Sequence, residues 1–191
     1  MSRYKQHSEV RRVPLGELRV VRPHRPYLTE EELRDLLAGA VLVEEKVDGH
    51  PEVLEIGDSV YYCEDLRWKH SIEYTRVPPP MGPEAPAFWV CYDVWIEDDQ
   101  RWATRHEKET LCAVVGLPVV PLVHEGQVTA ATISVLAARK SSFGETQAEG
   151  VVVKNLAKGL FGKLINREFQ EGLEDAEHWR RRPRVANRLA G

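Results

Sequence analysis

Apolar residues occur in short runs along this chain. Ala40-Val41-Leu42-Val43 leads directly into Glu44-Glu45-Lys46-Val47-Asp48-Gly49. Four apolar residues ending in charge predict a buried strand that emerges at a site. Alternation puts Glu44, Lys46 and Asp48 on one face of such a strand and Val43 and Val47 on the other. Gly49 lets the backbone turn sharply or approach a ligand closely. Taken alone, the hexapeptide also fits an edge-strand lysine in an ordinary ion pair.

The same patterning predicts the other elements. Residues 1–28 are rich in Arg, Pro and His and read as extended, with a short strand at Leu18–Val21. Thr29-Glu30-Glu31-Glu32 is a capping box opening a helix on Leu33, Leu36 and Leu37, with Gly39 at its stop. Glu52–Ile56 and Ser59–Cys63 flank Gly57-Asp58, which predicts a hairpin with a glycine-first turn. Residues 64–87 are proline-rich and read as a long loop, of the kind that is more often functional than idle. Phe88–Ile96 is aromatic and β-branched, with Asp93 as the one charge in its middle.

Thr104-Arg105-His106-Glu107 is a second capping box, for a helix ending near Val115-Gly116. Val119–Val123 reads as a strand, Thr129–Arg139 as a helix with Ile133 and Leu136 inward, and Lys140–Gln147 as a polar loop. Glu149-Gly150-Val151-Val152-Val153-Lys154 reads as a core strand with a charge at each end, and Leu160–Ile165 as its partner. A helix from about Asn166 places Phe169, Leu173, Ala176 and Trp179 in one stripe, ended by Pro183. Strands and helices mix without regular βα alternation. That argues for an α+β fold, antiparallel sheets with flanking helices, and against a doubly wound parallel sheet.

Composition narrows the class. At 191 residues, 42% apolar and 29% charged, one soluble domain over 1–191 is expected, with a basic helix or tail at 166–191. No apolar run approaches a membrane span, and the N-terminus lacks the hydrophobic stretch of a secretory signal. Cys63, Cys91 and Cys112 are odd in number and widely spaced, which suggests neither a disulfide framework nor a zinc site and fits a reducing, cytoplasmic setting. The net charge of −4 excludes a generic polyanion binder, but five arginines within Arg180–Arg188 could hold phosphates locally. A solvated helix end explains those arginines equally well. No P-loop and no GxGxxG follows a strand, so the two commonest nucleotide folds lose support.

Three apolar strands each carry charge that a core strand does not need: Lys46, then Asp93, then Glu149 with Lys154, and Lys163 follows. Buried charge is costly unless paired or used. Here a resemblance becomes specific. Lys46-Val47-Asp48-Gly49 resembles the KxDG nucleotidyl-lysine motif of covalent nucleotidyltransferases, the ATP-dependent DNA and RNA ligases and mRNA capping enzymes. Glu149–Lys154 resembles their EGxVxK motif. Phe88–Val94 is similar to the strand whose aromatic residue packs on the purine, and Lys163 stands where the family's final lysine motif is expected. The stretch Gly162–Phe169 most resembles the RNA ligase branch.

The resemblance implies a ligase-type nucleotidyltransferase (ATP-grasp-like) catalytic domain. Only about 22 residues follow Phe169, so no OB-fold domain is expected. It implies that Lys46 attacks the α-phosphate of ATP to give lysyl-AMP and pyrophosphate. AMP then passes to a 5′-phosphate end, and a 3′-hydroxyl attacks that phosphate and displaces the AMP. Lysine attacks only as the neutral amine, and its ordinary pKa of about 10.4 leaves little neutral at pH 7. Lys154, Lys163 and a bound Mg²⁺ (or Mn²⁺) would supply cations against the ammonium. Glu44 or Glu45 would take the adenine amino group, Tyr92 the purine face, and Lys154 and Lys163 the α-phosphate. Glu149 and Asp48 would face the metal, and Gly49 and Arg67 complete the nucleotide set. The implied partners are ATP and the ends of RNA or another polynucleotide, with no membrane, for a monomer.

The residues leave alternatives open. Tyr92 also fits an ordinary core position, Asp93 a turn-fixing role and Lys163 a solvated surface. Strict alternation would set Glu149 and Lys154 on opposite faces unless a bulge or strand end intervenes. Arg67 is the nearest candidate for a basic motif, Glu73 is a poor match for an acidic one, and Ile165 stands where a second lysine is usual. A binding module for nucleotides or RNA ends that has lost catalysis is the competing expectation.

Overall fold

A computed structural model of the chain describes residues 27–83, 85–166, 169 and 185–191. The expected strand at Leu18–Val21 lies outside them, as does nearly all of the expected C-terminal helix and the Arg180–Arg184 part of the arginine strip. Two compact units emerge, and the chain passes from one to the other at Lys46–Val47.

The first unit holds helix α1 (Glu30–Leu36), strands β1 (Val41–Lys46), β6 (Leu122–Gly126), β7 (Gly150–Asn155) and β8 (Leu160–Ile165), and helix α3 (Ala130–Ala137). Its sheet runs β6-β1-β7-β8, antiparallel throughout. Val41, Val43, Val151, Val153 and Leu164 form the core with Leu36 of α1 and Ile133 and Ala137 of α3. The expected capping box of α1 is present, with Thr29 and Glu32 exchanging hydrogen bonds. Asn155 ends β7 and ties α1 down: its side-chain amide donates to the carbonyls of Leu36 and Ala38.

The second unit contains β2 (His50–Ile56), β3 (Ser59–Asp65), β4 (Trp89–Ile96), β5 (Arg101–Trp102) and α2 (Arg105–Val115). The antiparallel sheet runs β2-β3-β4-β5. Ile56 pairs with Ser59 across Gly57, whose φ of +57° takes the glycine-first corner that the sequence predicts. Helix α2 carries the second capping box, and Gly116 closes it in the left-handed region. Cys63 and Cys91 are register partners, and Cys112 of α2 joins the same core cluster; all three are buried free thiols.

Three expectations need correction. The strand expected at Val119–Val123 begins at Leu122, because Pro118 and Pro121 interrupt the run and Val119 makes only a single parallel bridge to Cys91. The segment 140–147 is not simply polar: Ser141 and Phe143 are buried, and the Phe143 carbonyl accepts from Thr75 and Arg76 N–H. Strand β1 ends at Lys46, so alternation does not extend to Asp48. Among the described residues no helix is long and apolar enough to cross a membrane.

Candidate active site

In the first unit, register decides which charged side chains meet. Leu42, Glu44 and Lys46 of β1 lie opposite Lys154, Val152 and Gly150 of β7. Val152 and Lys154 lie opposite Lys163 and Phe161 of β8. Directly opposed residues of an antiparallel ladder share a face. Glu44, Lys46, Lys154 and Lys163 therefore stand on one face of three adjacent strands, and the opposite face is the valine core. Their exposures are 1%, 7%, 1% and 2%, so all four charges are withdrawn from water.

The pairing answers that burial. Lys154 Nζ donates to Glu44 Oε2 at 2.6 Å, and Lys46 Nζ donates to Glu149 Oε2 at 2.5 Å. Glu149 precedes β7, so alternation along the strand does not fix its direction. Gly150 then turns the chain into the strand at φ +154°, and a Cβ there would stand 2.0 Å from the Leu164 carbonyl oxygen. The strand end thus lets Glu149 and Lys154 both engage residues of the Lys46 face. The Glu149 carbonyl is held in turn by the Asn166 N–H at 2.7 Å. Glu45 is equally buried but alternates to the face opposite Glu44 and Lys46.

The remaining candidates lie in the second unit. The Asp48 carboxylate accepts from Ser71 N–H at 2.7 Å, and Asp48 N–H donates to the Tyr74 hydroxyl at 2.8 Å. Gly49 packs so closely on the end of β3 that a Cβ would lie 2.6 Å from the Asp65 carbonyl oxygen. The Arg67 side chain is exposed, while its backbone N–H donates to Asp65 Oδ1. Tyr92 is the extra residue of a β-bulge: Tyr62 pairs with Asp93 and Cys63 with Cys91, and Tyr92 falls between. Its ring lies 6.4 Å from that of Tyr62. Burial pushes the Tyr92 phenol well up, and nearby Glu64 and Asp93 add to the shift, so it remains a neutral donor.

Three residues with positional roles escape the sequence reading. Lys108 is buried and donates to the Tyr92 carbonyl at 2.8 Å, satisfying an acceptor at the bulge. A signal for it existed: Lys108, Leu111, Cys112 and Val115 share helical spacing. Tyr74 and Asn187 are buried under the Asp48 segment, and no local pattern marks either.

Among the described residues no group of three or more His, Cys, Asp or Glu side chains is arranged to hold a metal ion. A magnesium-type ion carried by phosphates needs only one or two carboxylates, and Glu149 of the first unit and Asp48 of the second are each a carboxylate of the kind such an ion uses.

Comparisons with known proteins agree with this architecture. The RNA ligase family model matches residues 50–165, more than half of the chain, beginning just past Gly49. No curated protein matches the sequence. Among solved structures, a Naegleria gruberi RNA ligase mutant with ATP and Mn superposes with a TM-score of 0.57 at 14% identity over 76% of this chain and 55% of that one. A mutant of the same ligase with AMP and Mn gives 0.54, at 14% identity and the same coverage. The ligase with PPi gives 0.52 at 16% identity, again over 76% and 55%. This chain thus spans about half the length of those ligases, and at such identity the likeness speaks for the fold. That fold is α+β with two antiparallel sheets, similar to the RNA ligase nucleotidyltransferase domain, and by its family match this chain belongs to the RNA ligase family.

Proposed function

We propose that the chain is an ATP-dependent adenylyltransferase of the RNA ligase type. It forms lysyl-AMP on Lys46, transfers AMP to a polynucleotide 5′-phosphate and seals that end to a 3′-hydroxyl. One observation carries this reading: Glu44, Lys46, Lys154 and Lys163 share one buried face of β1, β7 and β8, with Glu149 closed onto Lys46. A purely structural sheet gains nothing from four buried charges on one face, because each must be desolvated.

Attack on the α-phosphate requires the Lys46 amine without its proton. Glu149 Oε2, already hydrogen-bonded to that amine, is the acceptor for the proton. Lys154 and Lys163 then meet the charge that develops on the α-phosphate. Glu44 holds Lys154 in place through their buried pair. Mg²⁺ or Mn²⁺ would neutralise the phosphates when bound, and Glu149, in its ionised form, or Asp48 would each supply a carboxylate for it. Pyrophosphate leaves as the P–N bond forms.

Incubation with α-labelled ATP and a divalent cation is expected to label the wild-type protein and leave Lys46→Ala unlabelled. Label persisting on the variant removes Lys46 as the nucleophile. Salt-sensitive RNA binding with no label on either protein would instead identify a binding module without catalysis.

A further inference from the structure

The last residues of the chain return to the segment that follows Lys46. Lys69 N–H donates to the Val185 carbonyl, Asn187 N–H to Arg67 and Arg188 N–H to Tyr74, while Val77 N–H donates to Arg188. This short ladder runs along the loop between β3 and β4. Its centre is Asn187, which is only 4% exposed. Asn187 Oδ1 accepts from Tyr74 N–H at 2.9 Å, and Nδ2 donates to the Leu66 carbonyl at 2.6 Å. The amide is therefore used as acceptor and donor at once, which neither Asp nor Leu could reproduce.

Both residues that Asn187 grips touch the Asp48-Gly49 pair. Tyr74 is fully buried, edge-on to Phe143 at a ring distance of 6.1 Å, and its hydroxyl accepts from Asp48 N–H. The Leu66 side chain lies where a Gly49 Cβ would be, 2.7 Å away. Ser71, whose N–H binds the Asp48 carboxylate, lies on the same loop between those two anchors. Asp48 is thus oriented by a chain of hydrogen bonds that starts 139 residues later in the sequence, counted from Asp48 to Asn187.

We infer that Asn187 is a positioning residue for the Lys46-Val47-Asp48-Gly49 motif, acting through Tyr74 and Leu66. The functional half of this inference rests on the adenylyltransferase reading. The Asp48 segment has no regular ladder of its own, since β1 ends at Lys46 and β2 starts at His50. Its conformation is therefore set by the loop beneath it, and the loop by the tail. A tail residue that never touches nucleotide would in this way govern how well Asp48 is held for it.

The test combines amide hydrogen exchange with α-labelled ATP on the full chain. In Asn187→Ala, exchange at Asp48 and Ser71 is expected to quicken about tenfold, while Val152 of β7, in the other unit, keeps its protection. Lysyl-AMP formation should slow about tenfold as well. Tyr74→Phe keeps the ring and removes only the hydroxyl, so it should slow labelling similarly, and the double variant should be no slower than either single one. Unchanged exchange at Asp48 and Ser71 in Asn187→Ala overturns the inference. So does loss of protection that extends to Val152, which would mean general loosening. If Asn187→Ala does not fold, wild-type labelling rates in Tyr74→Phe overturn it alone. A wild-type protein that takes no label defeats the adenylyltransferase reading, while the exchange data still decide the link from Asn187 to Asp48.

Discussion

Lys46 Nζ stands 2.5 Å from Glu149 Oε2, although Lys46 has Gly150, not Glu149, as its partner across the strands. The contact exists because β7 starts one residue too late to include Glu149 and because Gly150 turns at a φ that side chains resist. Gly150→Ala would bring a methyl to 2.0 Å from the Leu164 carbonyl oxygen. Backbone cannot yield as a flexible side chain does, so β7 and β8 must part locally. The expected cost is about 3 kcal/mol, combining overpacking with an unfavourable φ. Urea unfolding measures it; a variant within about 0.5 kcal/mol of wild type would mean that the tight turn is not needed.

Glu44 and Lys154 form a buried pair whose two side chains are each 1% exposed. Removing one member should cost far more than replacing both. Glu44→Leu takes the carboxylate from an ammonium that remains buried, with an expected loss of about 3–5 kcal/mol. The double variant Glu44→Leu/Lys154→Met should recover most of that stability, because apolar side chains of similar volume suit the site. It should nonetheless form no lysyl-AMP. Chemical denaturation and α-labelled ATP read the two effects separately, and a stable, fully active double variant would assign the pair to structure alone.

The same pair shows what the sequence could disclose. Alternation along β1 puts Glu44 and Lys46 together, and the apolar runs locate β7 and β8 to within a residue, while β1 stops two residues short of Asp48. The two capping boxes are likewise local, since Thr and Glu three residues apart satisfy each other's backbone. Register is not local: that Lys154 meets Glu44 follows from Val152 lying opposite it, which no single strand encodes. The Tyr92 bulge is invisible for the same reason, because an extra residue is defined only against its partner strand. Asn187 is further still from local pattern, as its role depends on a tail meeting a loop. The strand expected from Val119 failed for a plainer cause: the prolines at 118 and 121 deny ladder donors.

Glu107 ties α2 to β5 and gives the fold an acid-sensitive contact. Its carboxylate accepts from both Arg101 guanidinium nitrogens and from Thr104 N–H. The Arg101 guanidinium foremost, then the Thr104 cap, lowers its pKa from 4.5 to about 2. A depressed folded pKa stabilises the fold above the unfolded value and loses that contribution as pH falls. Glu107→Gln should therefore be less stable than wild type at pH 7 by about 0.5–1 kcal/mol, a modest figure because the pair is solvent-screened. The difference should close between pH 4.5 and about 2. Urea midpoints for both proteins across that window test it; a constant gap would mean that the carboxylate charge is not responsible.

Lys108 offers the sharpest separation of bulge from helix. It lies on the inward stripe of α2 and sends its ammonium to the Tyr92 carbonyl. A bulge disturbs the ladder locally, and the Lys108 side chain supplies a donor to a buried carbonyl there. Lys108→Met keeps the length and apolar stem of the side chain and removes the donor. Losing that buried, charged hydrogen bond should cost about 1–3 kcal/mol. If Tyr92 receives the purine, loosening its backbone should also raise the ATP concentration needed for half-maximal lysyl-AMP formation by about tenfold, with the maximal rate little changed. Lys108→Arg retains a donor but needs room for a planar guanidinium where α2 packs against β4, and it should recover the ATP requirement only in part. A Lys108→Met protein that is destabilised but keeps the wild-type ATP requirement would confine Lys108 to folding and move the purine away from Tyr92.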